Sequence, residues 1–192
     1  KWRTAVGSRF SSPPVVADGI IYAVCTNGLA VALDFESGEL LWQTQLDSSV
    51  LGASAVAGGQ LFVPGLVGNV YALDLQTGVQ LQKYITGLPS PAMGELLGTN
   101  KPAVISNVVV RDGQVFYAGH DGKLYQIDPQ QRKIVATTVL GGPVRTGSFA
   151  VLKGSAVVTS STGDLRHVRS DGESIWTTKL TRAAVDVFRI PP

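Results

Sequence analysis

Two histidines, one cysteine and a scatter of carboxylates are the side chains here whose types could carry chemistry. His120 stands beside Asp121 in His120-Asp121-Gly122, an imidazole next to an acid, the pairing general acid–base work uses. Asp121-Gly122 is equally a two-residue hairpin turn, which leaves His120 as an exposed loop residue. His167 alternates along a strand with Arg166 and Arg169 nearby, which predicts a solvated face. Two histidines without a cysteine or acid pattern at ligand spacing do not make a zinc site. Cys25 is the lone cysteine, inside the apolar run Ile20 to Cys25, so no internal disulfide can form and the thiol reads as a packing residue. No glycine-rich loop joins a strand to a helix, so nucleotide binding has no support. The expectation is a chain with no catalytic residue, no metal site and no cofactor.

The bulk properties narrow the class further. A chain of 192 residues with 44% hydrophobic and 16% charged residues has material for one core and too little charge for disorder. The net charge of +2 comes from scattered basic residues, so nucleic acid is not an expected partner. No apolar stretch approaches the roughly 20 residues of a membrane helix.

The elements that must position any site are repeats. ALDFESGELLW (Ala32 to Trp42) returns as ALDLQTGVQLQ (Ala72 to Gln82), as QIDPQQRKIVA (Gln126 to Ala136) and, one residue shorter, as HVRSDGESIW (His167 to Trp176). Upstream of each lies a turn pair, Asp18-Gly19, Gly58-Gly59, Asp112-Gly113 and Lys153-Gly154, and these anchors fall 40, 54 and 41 residues apart. That period marks stacked supersecondary units, above all propeller blades. In the first unit, Val15 to Ala17, Ile20 to Cys25, Leu29 to Leu33 and Leu40 to Leu46 read as four antiparallel strands, with Asn27-Gly28 and Asp34 to Gly38 as turns. A single meander cannot cover both its faces, so blades must pack on one another. No segment carries a sustained 3.6-residue period, and the predicted fold class is all-β, a β-propeller of four-stranded antiparallel blades. Small residues at one register, Ser12, Gly52, Ser106 and Gly147, are expected where inner strands converge on the axis.

Ala32-x-Asp34-x-x-Ser37-Gly38-Glu39-x-x-Trp42 resembles, with Ser for Thr, the tryptophan-docking motif of the pyrroloquinoline-quinone-type (quinoprotein-type) β-propellers. The resemblance covers nearly the whole chain except Tyr84 to Pro102. It implies that Trp42 and Trp176 staple one blade to the next against glycine-bearing turns (Gly38, Gly78), with Trp2 the remnant of the same staple from a preceding blade. It also implies that Asp34, Asp74 and Asp128 fix those turns. Gln82 and Ala136 stand where tryptophan belongs, so those interfaces should be weaker or packed differently, and Arg169 stands near the place of the fourth acid. Quinone-dependent dehydrogenases of this resemblance add a Ca²⁺ site of carboxylates and an amide, a catalytic Asp and commonly a disulfide of adjacent cysteines. A fragment of such an enzyme is the alternative reading. The single cysteine and the structural placing of the acids favour the non-enzymatic branch, a scaffold or binding platform for protein partners. By resemblance, such domains occur in the propeller lipoprotein of the bacterial outer-membrane assembly machine, in extracellular sensors and in surface proteins. An extracytoplasmic location, periplasmic or cell-surface, follows from that resemblance alone.

The expected organisation is a stub of a preceding blade (1–10), repeats over 11–46, 50–85, 105–140 and 144–181, an inserted loop (86–104) and the start of a further blade (182–192). Relatives usually close with seven or eight blades, so the expectation is a segment of a longer propeller, with a closed small ring or two chains completing one ring as alternatives. The insertion, about 14 residues by the anchor spacing, places Leu88, Met93, Leu96 and Leu97 in a Pro/Gly-rich loop, a candidate docking patch for a protein partner. Strand addition at an exposed edge is a second natural mode. Arg9 and Arg145 precede inner strands and are candidates for one channel mouth beside Arg182.

Overall fold

Asp18 and Gly19 take φ values of 50° and 73°, the both-positive geometry that closes a two-residue hairpin between β1 (Val15–Ala17) and β2 (Ile20–Val24). The chain continues through β3 (Leu29–Asp34) to β4 (Leu40–Gln45), and the four strands pair in the order β1-β2-β3-β4. The same meander recurs as β5 (Ala55–Ala57), β6 (Gln60–Pro64), β7 (Asn69–Asp74) and β8 (Gln80–Ile85). A third comprises β9 (Val109–Arg111), β10 (Gln114–Ala118), β11 (Lys123–Asp128) and β12 (Lys133–Val139). The fourth comprises β13 (Val144–Leu152), β14 (Ser155–Ser160), β15 (Asp164–Arg169) and β16 (Ser174–Lys179). The structure is a computed structural model and describes residues 1–66, 68–85, 107–119, 121–140, 144–160, 163–169, 171 and 173–179, with the side chains of 145–148 and 160 left aside. No helix occurs among the described residues, and so none there is long and apolar enough to cross a membrane.

Successive sheets meet as blades do. The inner strands follow one another in contact, β1 with β5, β5 with β9 and β9 with β13. Each pair of neighbouring blades encloses its own core. Tyr22, Val24, Ala32 and Trp42 of the first blade meet Leu61, Val63, Tyr71 and Leu73 of the second. Phe62, Val70, Ala72 and Tyr84 then meet Val115, Tyr117, Tyr125 and Ile127 of the third. Phe116, Ala118 and Leu124 meet Phe149, Ala156, Val158 and Val168 of the fourth. Strand alternation makes this possible: one face of each blade packs backward, the other forward.

A register shift interrupts every third-to-outer strand ladder at the same place, between Ala32/Leu33, Ala72/Leu73, Gln126/Ile127 and His167/Val168. In the first blade Leu33 pairs with Leu40 while Ala32 pairs with Trp42, so Leu41 is the extra residue. Were Leu41 paired with Ala32 instead of bulged, Trp42 would lie opposite Val31 and point to the wrong face, because a one-residue slip inverts side-chain parity. The bulge therefore aims Trp42 at the second blade.

Candidate functional site

In the first three blades the turn after the third strand is built around its first acid. Asp34 Oδ1 accepts from the Glu36 N–H (3.0 Å), the Ser37 N–H (2.7 Å) and the Ser37 hydroxyl (2.8 Å). Asp74 does the same with the Gln76 N–H, the Thr77 N–H and the Thr77 hydroxyl, at 3.0, 2.9 and 2.9 Å. At Asp128 the partners are the Gln130 and Gln131 N–H groups, with the Gln131 amide on the second oxygen at 2.8 Å. These bonds favour the charged carboxylates and hold all three below the ordinary range. The backbone N–H of Ser37 leads at Asp34, the hydroxyl of Thr77 at Asp74, and the backbone N–H of Gln131 at Asp128.

A tryptophan from earlier in the chain meets two of these turns. Trp42, 8% exposed, donates its Nε1–H to the Leu75 carbonyl at 2.9 Å, and Thr44 donates its hydroxyl to the Gly78 carbonyl at 2.7 Å. Trp2 repeats the arrangement one blade earlier, with Nε1–H to the Phe35 carbonyl at 3.0 Å and the Thr4 hydroxyl to the Gly38 carbonyl at 2.7 Å. Gly78 (φ 70°) and Gly38 (φ 72°) lie directly beneath the indoles, where a Cβ would collide with ring carbons. The threonine half of each contact was missed in the sequence, although Trp-x-Thr recurs at Trp2-Arg3-Thr4 and Trp42-Gln43-Thr44.

The two interfaces without tryptophan differ from this and from each other. Between the second and third blades Gln82 is exposed, and Tyr84 two residues on fills the space, stacked with Phe62 at 6.4 Å between centroids. Gln60 crosses to the third blade and donates to the Pro129 carbonyl at 2.8 Å. The glycine position of that turn is occupied by Arg132, at φ 52°. Between the third and fourth blades Ala136 leaves a cavity of about 300 Å³, bounded on the third-blade side by Phe116, Leu124 and Thr138. Arg169 pairs with Glu173 at 2.7 Å instead of fixing a turn as the acids do.

The remaining candidates are dispersed. Trp176 is 41% exposed and packs edge-on against His167 at 5.6 Å. His167 is thus half-buried rather than solvated, with Nε2 2.9 Å from the Ser155 hydroxyl. The outer-strand indole of Trp176 shelters the ring in a way that the flanking arginines did not reveal. Arg9 is exposed and its carbonyl accepts from the Thr26 N–H at 2.8 Å. Arg145 lies in β13, but its side chain, like Arg182, Leu88, Met93, Leu96, Leu97 and His120, lies outside the described residues. A cluster absent from the sequence reading joins Tyr71, Asp47 and Lys83: the Tyr71 hydroxyl and the Lys83 ammonium both donate to Asp47, at 2.5 and 2.7 Å. Among the described residues no group of three histidine, cysteine or acidic side chains is placed to hold a metal ion.

Comparison with known proteins gives a consistent result. The family model of outer membrane protein assembly factor BamB matches residues 1–178. The BamB of Yersinia pestis is 25% identical over 185 residues, which span 91% of this chain and 44% of that protein. The BamB of Burkholderia pseudomallei is 28% identical over 98% of this chain and 48% of its own length. The chain therefore spans about half the length of these curated relatives. Among solved structures, BamB from Moraxella catarrhalis superposes with a TM-score of 0.56 at 16% identity, covering 92% of this chain and 66% of that one. The computationally designed Ika8 protein gives 0.67 at 13% identity, covering 86% of this chain and 48% of that one. At such identities these likenesses speak for the fold alone.

Proposed function

This chain belongs to the family of outer membrane protein assembly factor BamB, and we propose that it acts as a non-catalytic propeller platform for protein partners. The observation that carries the reading is the match over residues 1–178, which takes in all four blades to within a residue of the last strand's end. The way the blades use their polar residues supports it. Asp34 and Asp74 bind their own turns, and Trp2 and Trp42 serve as blade staples, so the repeated motif supplies rigidity. The relatives named above are assembly factors, and the dehydrogenase alternative gains nothing from them.

The partners are components of outer-membrane protein assembly, met in the periplasm, and the docking patch is the inserted loop carrying Leu88, Met93, Leu96 and Leu97. The test removes residues 88–97 from the full-length protein and measures partner capture by cross-linking, with circular dichroism as the check on folding. Loss of capture with the β signal intact supports the loop as the docking patch. Undiminished capture moves the patch elsewhere, and no capture by the intact protein sinks the platform reading. Two chains completing one ring is the self-association the repeat number allows, and a solution mass of two chains would support it.

A further inference from the structure

We propose that the slot between the third and fourth blades is a binding site for an aromatic ring, with a bicyclic indole the match in size. Phe116, Ala136 and Thr138 occupy the registers of Tyr22, Trp42 and Thr44 in the first blade. At the first interface that space is filled from within: the Trp42 ring lies 6.0 Å from Tyr22 and shuts the gap. At the third interface the same space, reduced to a methyl group by Ala136, is the cavity of about 300 Å³. An apolar cavity of about 150 Å³ is already enough to stay dry and accept benzene, so this one has room for a second fused ring.

The slot does not collapse because arginines brace it on two sides. Arg111 of the third blade donates Nη1–H to the Val151 carbonyl of the fourth at 2.9 Å. From the other blade, Arg166 donates Nη1–H to the Leu140 carbonyl at 3.3 Å. At the second interface Tyr84 packs into the core beside Phe62 in place of an indole. The lining also suits an aromatic guest. Phe116, Leu124, Ala136 and Ala156 present apolar surface, while Arg111 and Gln126 stand among the polar groups. Arg111 Nε is buried without a hydrogen-bond partner, 3.6 Å from Asp112, and a guanidinium edge left in that state gains from a ring's π face. Apolar walls with few polar groups are the ordinary make-up of a small-molecule or side-chain pocket.

The probes are free indole and N-acetyl-tryptophanamide, the latter standing for a tryptophan side chain in a polypeptide. Amide shift mapping on the whole chain is expected to place both at Phe116, Leu124 and Thr138. Ala136→Trp supplies the ring internally and is expected to weaken probe binding more than about tenfold. Ala156→Leu, a smaller change on the opposite wall, is expected to weaken it as well and guards against misfolding of the first variant. Binding of indole alone would identify a small-molecule site, and binding of both a site open to partner side chains. Absence of shifts with millimolar probe, shifts confined to another region, or unchanged affinity in the folded Ala136→Trp protein would overturn the proposal.

Discussion

The indole of Trp42 occupies the space that a side chain on Gly78 would need: a Cβ built there falls 2.5 Å from the ring's Cε3. Gly59 offers a matched comparison, since its φ of 73° is close to the 70° of Gly78 while a Cβ there meets nothing within 4 Å. Alanine at either position carries the left-handed backbone cost, about 1 kcal/mol. Only at Gly78 must it also displace the indole, at a further ~1–3 kcal/mol of overpacking. Urea unfolding of Gly78→Ala and Gly59→Ala should separate by that amount. Equal losses would mean that the ring yields freely and does not staple the blades.

Acid should loosen the turns. The folded-state pKa values of Asp34, Asp74 and Asp128 are depressed, so their contribution is full above the unfolded value of about 4 and is lost as pH falls through the folded values. Asp74→Asn keeps an acceptor but cannot carry the charge. It is expected to melt lower than the parent at pH 7, with the gap closing as pH drops below about 4. A gap constant from pH 7 down to pH 2 would show that the charge contributes nothing to the turn.

The blade plan was legible because each of its signals is local. Asp18-Gly19 marks a hairpin by its own backbone demands, and the recurrence of Asp34 at Asp74 and Asp128 marks the repeat. What two substitutions do to an interface was less legible. Gln82 and Ala136 look alike in sequence as missing tryptophans, yet one interface recruits Tyr84 and the other stays open. The difference lies two residues further along the same outer strand, where Tyr84 in one blade and Thr138 in the other hold the register of Thr44, and only the pairing shows that this position can reach the gap. The bulge at Leu41 was hidden for a related reason: apolar Leu40, Leu41 and Trp42 form an unbroken run, in which pairing rather than pattern decides the parity. Arg132 was also unremarked, though it holds the register of Gly38 and Gly78.

That register relation supports a final expectation, that Gln82 and Arg132 are two halves of one exchange. Where the indole is present the facing residue is glycine, because a Cβ would lie 2.3 Å (Gly38) or 2.5 Å (Gly78) from ring carbons. Where Gln82 replaces the indole, Arg132 can stand at φ 52° with a full side chain. Gln82→Trp alone should then destabilise by ~1–3 kcal/mol, since its indole meets the Tyr84 and Arg132 side chains. Arg132→Gly alone should be nearly neutral, the relief of a left-handed backbone offsetting the freer unfolded chain. In a Tyr84→Thr background, which empties the space Tyr84 now fills, the two changes together rebuild the staple beneath the Pro129 carbonyl, which accepts from Gln60 and has a second lone pair for an indole N–H. A double-mutant cycle should give a favourable coupling of ~1–2 kcal/mol between the sites. Simple additivity would sink the exchange and leave Arg132 as an unrelated surface residue.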